Sequence, residues 1–122
     1  MAWSFDNKSP VSMQIANIIR LNIVNGKYKA GEQFPTVRQL AFDASVNPNT
    51  MQRALSILES EGLLITKSTS GRFVTEDVSV IESTLADLQR EYLDKVVPEG
   101  IELGITKDKF IKYIEERTDI IW

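Results

Sequence analysis

Two helix starts lie close together in the middle of the chain, and they leave it few ways to fold. Thr36 followed three residues on by Gln39 is a capping box, in which the hydroxyl accepts from the Gln39 amide and the glutamine side chain reaches back. Asn47-Pro48 is the second start: the asparagine oxygen caps, and proline sits where a first-turn N–H has no helical partner anyway. The intervening helix therefore buries Val37, Leu40, Ala41 and Ala44 and ends near Ser45. Its successor runs from Pro48 to about Glu61 and stops at Gly62, a residue type that tolerates the left-handed conformation past a helix end. Two helices joined by a turn of about four residues make a helix-turn-helix.

The flanking segments complete a domain. Pro10 to Asn25 reads as a helix with Val11, Ile15, Ile18, Ile19 and Asn22 on one side, closed by Gly26. Met13, Leu21 and Val24 point elsewhere, so this helix is either buried on two sides or reserved for a second partner. Gln33-Phe34 is a brief extended piece. Leu63-Leu64-Ile65-Thr66 and Arg72-Phe73-Val74 read as strands joined by the polar loop Lys67-Ser68-Thr69-Ser70-Gly71, a hairpin with a protruding tip. Beyond it, Ile81, Leu85, Leu88, Tyr92 and Val96 recur at helical spacing from Ser79 onward, until Pro98-Glu99-Gly100 breaks the pattern. A last helix starts at Thr106, with Ile105 and Phe110 placed for a hydrophobic staple and Phe110, Ile111 and Ile114 as its apolar set. The expected fold is mainly α with one small β-hairpin: a winged helix-turn-helix domain over residues 1–75 and a two-helix tail over 76–122.

Composition narrows the chemistry. With no Cys and no His, the 122 residues lack thiol nucleophiles, disulfides, Cys/His zinc sites and imidazole acid/base groups, so no cofactor or metal is expected and an enzyme is disfavoured. No basic leader precedes an apolar core, and the most apolar stretch, Ile15 to Val24, is interrupted by Asn17, Arg20 and Asn22; a cytoplasmic protein with no membrane partner is expected. The net charge of -3 hides an asymmetry. Residues 1–74 hold eight basic and five acidic side chains, a net +3, whereas residues 75–122 carry -6. Only the first part favours a polyanion.

On the third helix, steps of 100° gather Met51, Ala54, Leu55 and Leu58 in one sector and put Asn49, Arg53 and Ser56 opposite, with Gln52 at the margin. Such a face fits a major groove, where Arg pairs with guanine and Asn or Gln with adenine, while Thr50 or Asn47 reaches phosphate or bases. It is equally the polar face that any surface helix carries. The capped pair of helices followed by a hairpin with Lys67, Ser70, Gly71 and Arg72 favours the groove, because wing and recognition helix can contact adjacent parts of a duplex.

Between Val11 and Val74 the sequence resembles the DNA-binding domain of GntR-type bacterial transcription regulators. The matching segments are Gln14-Ile15-Ala16, Lys29-Ala30-Gly31-Glu32, Phe34-Pro35-Thr36-Val37-Arg38-Gln39-Leu40-Ala41, Val46-Asn47-Pro48-Asn49-Thr50, Arg53-Ala54-Leu55, Leu58-Glu59-Ser60-Glu61-Gly62-Leu63 and Gly71-Arg72-Phe73-Val74. The Val46 to Thr50 segment, together with a short helical tail, is similar to the YtrA subfamily. The resemblance implies a homodimeric repressor of its own or a transporter operon, bound to an inverted-repeat operator of double-stranded DNA. It places Arg38 on the DNA backbone or a base edge, and Asn47, Asn49, Thr50 and Gln52 at the duplex with the wing residues Ser68, Thr69, Ser70, Gly71 and Arg72; Thr36, Arg53 and Lys67 complete the expected DNA-binding set. Two positions depart from the family's usual pattern: Gln52-Arg53 stands where many members have Arg then Glu, and Ser68-Thr69 where the wing usually has Arg-Gly.

The tail is too short to enclose a sizeable pocket, so its stripe of Ile81, Leu85, Leu88, Tyr92 and Val96, with Phe110 and Ile114, is expected to bury against a second copy; packing within one chain is the competing reading. Neighbouring carboxylates such as Glu59 and Glu61, or Glu115 and Glu116, read as solvated helix ends. Trp3, Phe5 and Ile120-Ile121-Trp122 read as apolar chain ends tucked onto a core or a dimer seam, and an effector, if one acts, is expected near them. A protein-interaction module that keeps the winged-helix fold without reading DNA is the alternative function.

Overall fold

A computed structural model describes residues 3–121, with side chains through residue 120. Its element order is α1 (Val11–Val24), α2 (Val37–Ala44), α3 (Pro48–Ser60), β1 (Leu64–Thr66), β2 (Arg72–Val74), α4 (Val78–Glu102) and α5 (Lys107–Ile121). The chain divides into two compact units, Met1–Leu85 and Ala86–Trp122.

In the first unit α1 packs mainly on α3, and α2 crosses the same helix. Ile15, Ile19 and Ile23 from α1 meet Leu40, Ala41 and Ala44 from α2 and Met51, Ala54, Leu55 and Leu58 from α3, all buried, with Phe34, Leu63, Leu64 and Val74 closing the core. Each fully buried Leu or Ile contributes about 1.5–3 kcal/mol by leaving water, so this cluster holds the unit together. Trp3 and Phe5 pack against it, ring centroids 6.2 Å apart, as do Val80 and Ile81 from the start of α4. Met13 and Leu21 remain half exposed, so the first unit's own core buries α1 on one side only.

The boundaries follow the local signals closely. Pro10 is the N-cap of α1 rather than its first residue, and Gly26 takes a φ of 84° just beyond its end. Gly62 closes α3 with a paired bond set: Gly62 N–H donates to the Glu59 carbonyl at 3.0 Å and Leu63 N–H to the Leu58 carbonyl at 3.0 Å. That second bond draws Leu63 into the helix end, so β1 begins one residue later than expected, at Leu64. β1 and β2 pair antiparallel in the register Leu64↔Val74, Ile65↔Phe73 and Thr66↔Arg72. The extended Gln33 segment flanks the other side of β2 through a bridge to Phe73, with Phe34 N–H donating to the Arg72 carbonyl at 2.8 Å.

The exposed carboxylate of Asp77 caps α4, accepting from the Ser79 amide at 3.0 Å and the Ser79 hydroxyl at 2.5 Å. These bonds, led by the hydroxyl, hold the Asp77 carboxyl below its ordinary pKa. One expectation fails here: α4 does not break at Pro98 but runs on to Glu102. A proline inside a helix costs about 3 kcal/mol or more, so packing must offset it. In the second unit the Phe110 ring lies on the bare Cα of buried Gly100, two residues beyond Pro98, where a Cβ would collide with it. The stop comes at Gly104 (φ 83°), with Gly104 N–H on the Ile101 carbonyl at 2.9 Å and Ile105 N–H on that of Gly100 at 3.0 Å. Thr106 caps α5 as expected, its hydroxyl accepting from the Lys109 amide at 3.2 Å.

Candidate nucleic-acid interface

The helix-turn-helix is pinned at each corner by its own side chains. The Thr36 hydroxyl accepts from the Gln39 amide at 3.2 Å while Gln39 Oε1 accepts from the Thr36 amide at 3.0 Å, closing the capping box. Thr36 is exposed, but its hydroxyl serves the helix. The chain leaves α2 through Ser45, a non-glycine residue at φ 56°, where the Val46 amide returns to the Ala41 carbonyl at 3.0 Å. Asn47 then opens α3, its Oδ1 accepting from the Asn49 amide at 2.7 Å, so that only the oxygen of this side chain is used by the fold.

From this frame α3 presents two unlike faces. Met51, Ala54, Leu55 and Leu58 are wholly buried; Asn49, Gln52, Arg53 and Ser56 are exposed, with Thr50 half-buried beside them. Gln52 Nε2 donates to Ser56 Oγ at 3.3 Å, a bond that does not engage the Gln52 carbonyl oxygen. Among the described residues neither Arg53 nor Arg38 is in an ion pair, and both are exposed. Arg38 borders a shallow groove between α2 and the first turn of α3, together with Ser45, Val46 and Pro48. The N-terminal end of α3 adds the partial positive charge of its unpaired amides.

The wing is more tied down than its sequence suggests. A single 3₁₀ turn, Ser68–Ser70, forms its tip, and Gly71 follows at φ 96° and ψ -158°, a conformation that side chains disfavour. Gln33 Nε2 donates to the Ser70 carbonyl at 2.9 Å. Lys67 lies 3.8 Å from the Glu76 carboxylate and 4.8 Å from the centre of the Phe73 ring. Arg72 is turned away from the tip: its Nε donates to Glu59 Oε1 at 2.6 Å, and the side chain is only 19% exposed. Glu59 Oε2 meanwhile accepts from the Thr66 hydroxyl at 2.7 Å. Partial burial raises the Glu59 pKa, but the bonds from Thr66 and Arg72 and the charge of Arg72 outweigh it and hold the carboxyl below its ordinary value.

The reading of Glu59 and Glu61 as merely solvated is therefore corrected. Glu61 accepts from Arg20 Nε at 2.9 Å and from its Nη2 at 2.8 Å, joining α1 to the end of α3, while Nη1 donates to Asn17. Sequence reasoning missed these partners because the cations lie far away along the chain. It also passed over Phe42, which is 84% exposed one helical turn after Arg38 and borders the same groove. A phenylalanine outside the Val37, Leu40, Ala41, Ala44 set was the available signal.

Of the seven residues expected at a dimer seam, Ile81 and Leu85 belong to the first unit and the other five to the second. Ile81 packs on the first unit's core, and Leu85 is half-buried at that unit's end. Leu88, Val96 and Phe110 are half-buried, while Tyr92 and Ile114 are 64% and 51% exposed. Ile120 is exposed, and Trp122 lies outside the described residues. Among the described residues no helix is long and apolar enough to cross a membrane, and no cluster of metal-binding side chains occurs.

A capped helix-turn-helix with a polar, cationic outer face and a hairpin wing beside it defines a winged-helix transcription regulator. Residues 11–74 match the model of the bacterial regulatory proteins of the gntR family, and the chain belongs to that family. It is 33% identical to the helix-turn-helix regulator YhcF of Bacillus subtilis over 94% of this chain and 95% of that one. It is 27% identical to the repressor YtrA of the same organism over 90% and 85%. A GntR family regulator from Listeria monocytogenes superposes with a TM-score of 0.85 at 36% identity, over 92% of this chain and 98% of its own. The DNA-binding domain of AraR, solved in complex with an operator, has a TM-score of 0.57 at 26% identity over 62% of this chain and 96% of its own. These relatives are regulators rather than enzymes.

Proposed function

We propose that this GntR-family regulator is a homodimeric repressor that acts in the cytoplasm on an inverted-repeat operator, with residues 1–75 binding DNA and residues 76–122 joining two copies. The observation that carries the reading is the outer face of α3, where Asn49, Gln52 and Arg53 stand exposed directly behind a fully buried apolar face. In the major groove Arg53 suits guanine, and Asn49 and Gln52 suit adenine. Arg38, Asn47, Thr50 and the backbone around Thr36 supply phosphate contacts, and the Lys67 to Gly71 loop lies against the neighbouring groove. The AraR domain's complex with its operator and the repressor role of YtrA support the operator-binding and repressor parts of this reading. The exposed apolar side chains of the second unit, Leu93, Ile101 and Leu103 among them, support a partner there. Two-fold symmetry would then set the two recognition helices about 34 Å apart, one turn of DNA.

Fluorescence anisotropy with the protein's own promoter and a scrambled duplex of equal length, each at two salt concentrations, tests it. Salt-sensitive binding that prefers the promoter by at least about tenfold, some 1.4 kcal/mol, is expected. Equal, weak and salt-insensitive binding to both duplexes would instead favour a winged helix that serves a protein partner.

A further inference from the structure

The side chains that link α3 to the base of the wing meet at the Glu59 carboxylate. Thr66 and Arg72 are cross-strand partners, the last pair of the hairpin before its loop. Glu59 bonds both, one oxygen to each: Oε2 accepts from the Thr66 hydroxyl at 2.7 Å and Oε1 from Arg72 Nε at 2.6 Å. Glu59 also follows Ser56 by three residues and Gln52 by seven, so the three lie along one stripe of α3. The base of the wing is thus anchored to the stripe that carries Gln52. Independent ties fix the other side of the hairpin, from Gln33 to the Ser70 carbonyl at 2.9 Å and from the Phe34 amide to the Arg72 carbonyl at 2.8 Å.

We propose that Glu59 is a positioning residue for DNA recognition: by holding Thr66 and Arg72 together it sets the Lys67 to Gly71 loop against the α3 reading face. Arg72 acts through that pair and not on DNA. The inference deepens the DNA-binding reading and rests on it for its consequence, although the ordering of the wing is a property of the free protein. The Nε of Arg72 is held at 2.6 Å by Glu59 and the side chain is only 19% exposed, which directs the guanidinium toward the carboxylate rather than toward a phosphate. Charge bookkeeping gives the opposite expectation, because Glu59 is an anion near a polyanion and its removal should then help binding.

The sign of the effect therefore decides. In the full chain, Glu59→Gln and Arg72→Ala are each expected to weaken operator binding by about tenfold while leaving the salt slope unchanged, since no phosphate contact is lost. The double variant should be no weaker than either single one, and Arg72→Lys should recover part of the loss. Tighter binding by Glu59→Gln, or a salt slope about one lower in Arg72→Ala, would show that Arg72 reaches DNA and overturn the proposal. Unchanged affinity with a lowered Tm would show a role in stability alone and overturn it too.

A second measurement needs no DNA. The chain has no cysteine, so a spin label on Thr69→Cys reports the wing tip alone. Adding Glu59→Gln, or Thr66→Val if that variant folds poorly, should free the label's motion. A label equally restrained with and without Glu59 would sink the proposal. If the label loosens but the parent chain binds no duplex with salt dependence, the positioning of the wing stands and the DNA-binding reading falls.

Discussion

The two units of the chain keep their apolar residues in opposite ways. Every buried side chain among the described residues belongs to the first unit, and the second contributes only Gly100 to the buried set. The first unit has a closed core that three helices and a hairpin share. The second has long helical stretches whose Leu93, Ile101 and Ile114 stay more than half exposed, as does Leu103 in the turn between them. Helices without a packed face are marginal in water, because their hydrogen bonds barely offset the entropy of ordering the chain. The difference teaches that the first unit can order itself, whereas the order of the second depends on what covers it, which is the physical basis for proposing a second copy there.

The largest expected effect tests the core. Leu55 is fully buried, and Leu55→Ala should cost about 2–5 kcal/mol through lost transfer energy and the cavity left behind. Tyr92→Ala, at a position 64% exposed, should stay within about 0.5 kcal/mol at protein concentrations too low for association. Urea titrations of both variants check this, and equal losses would erase the contrast between the units.

A smaller effect is expected at the one buried point of the second unit. A methyl at Gly100 must displace the Phe110 ring, an overpacking of about 1–3 kcal/mol. Hydrogen exchange of Gly100→Ala should show amides of residues 86–120 losing protection while those of α1 and α3 keep theirs. Loss of protection throughout the chain would mean that the two units unfold together.

The boundaries in the first unit were legible because each is set by neighbours in sequence. Thr36 with Gln39, Asn47 with Pro48, and Gly62 act within a helical turn, and the four buried residues of α3 follow from spacing alone. Pro98 misled for the converse reason: the helix runs through it to Glu102 although the local preference is to stop, and the Phe110 ring that packs on Gly100 comes from the next helix, where no local pattern encodes it. The same limit hid the Glu59 bonds to Thr66 and Arg72, and left Arg72 reading as a free wing cation. Of the candidate interface, the exposed face of α3 was readable, and the internal ties of the wing were not.

The ion pairs sharpen the comparison further. Arg20 donates to both oxygens of Glu61 with its side chain 14% exposed, so Arg20→Ala should cost about 1 kcal/mol. Arg90 meets Asp87 at 2.5 Å on α4, but the two side chains are 66% and 56% exposed, and Arg90→Ala should change stability by less than about 0.5 kcal/mol. Chemical denaturation in low and high salt separates them: only the Arg90 effect should vanish with added salt.

Smallest of all is the expected acid sensitivity of the wing anchor. The Glu59 carboxyl is held below its ordinary value near 4.5 by Thr66 and Arg72 against the opposing effect of partial burial. In the unfolded chain it takes up its proton at the ordinary value, so on lowering the pH the unfolded state binds the proton first. The stabilisation is therefore complete above that value and is lost as the pH falls through the lower folded one. Glu59→Gln keeps a side chain of the same size but has no proton to bind there. The stability gap between the parent chain and Glu59→Gln, measured by urea titration, should be constant from about pH 7 to about pH 5 and should shrink as the pH falls below the ordinary value. A gap that widens on acidification would mean that Glu59 is protonated more readily in the fold than out of it, and that the carboxylate does not anchor the hairpin.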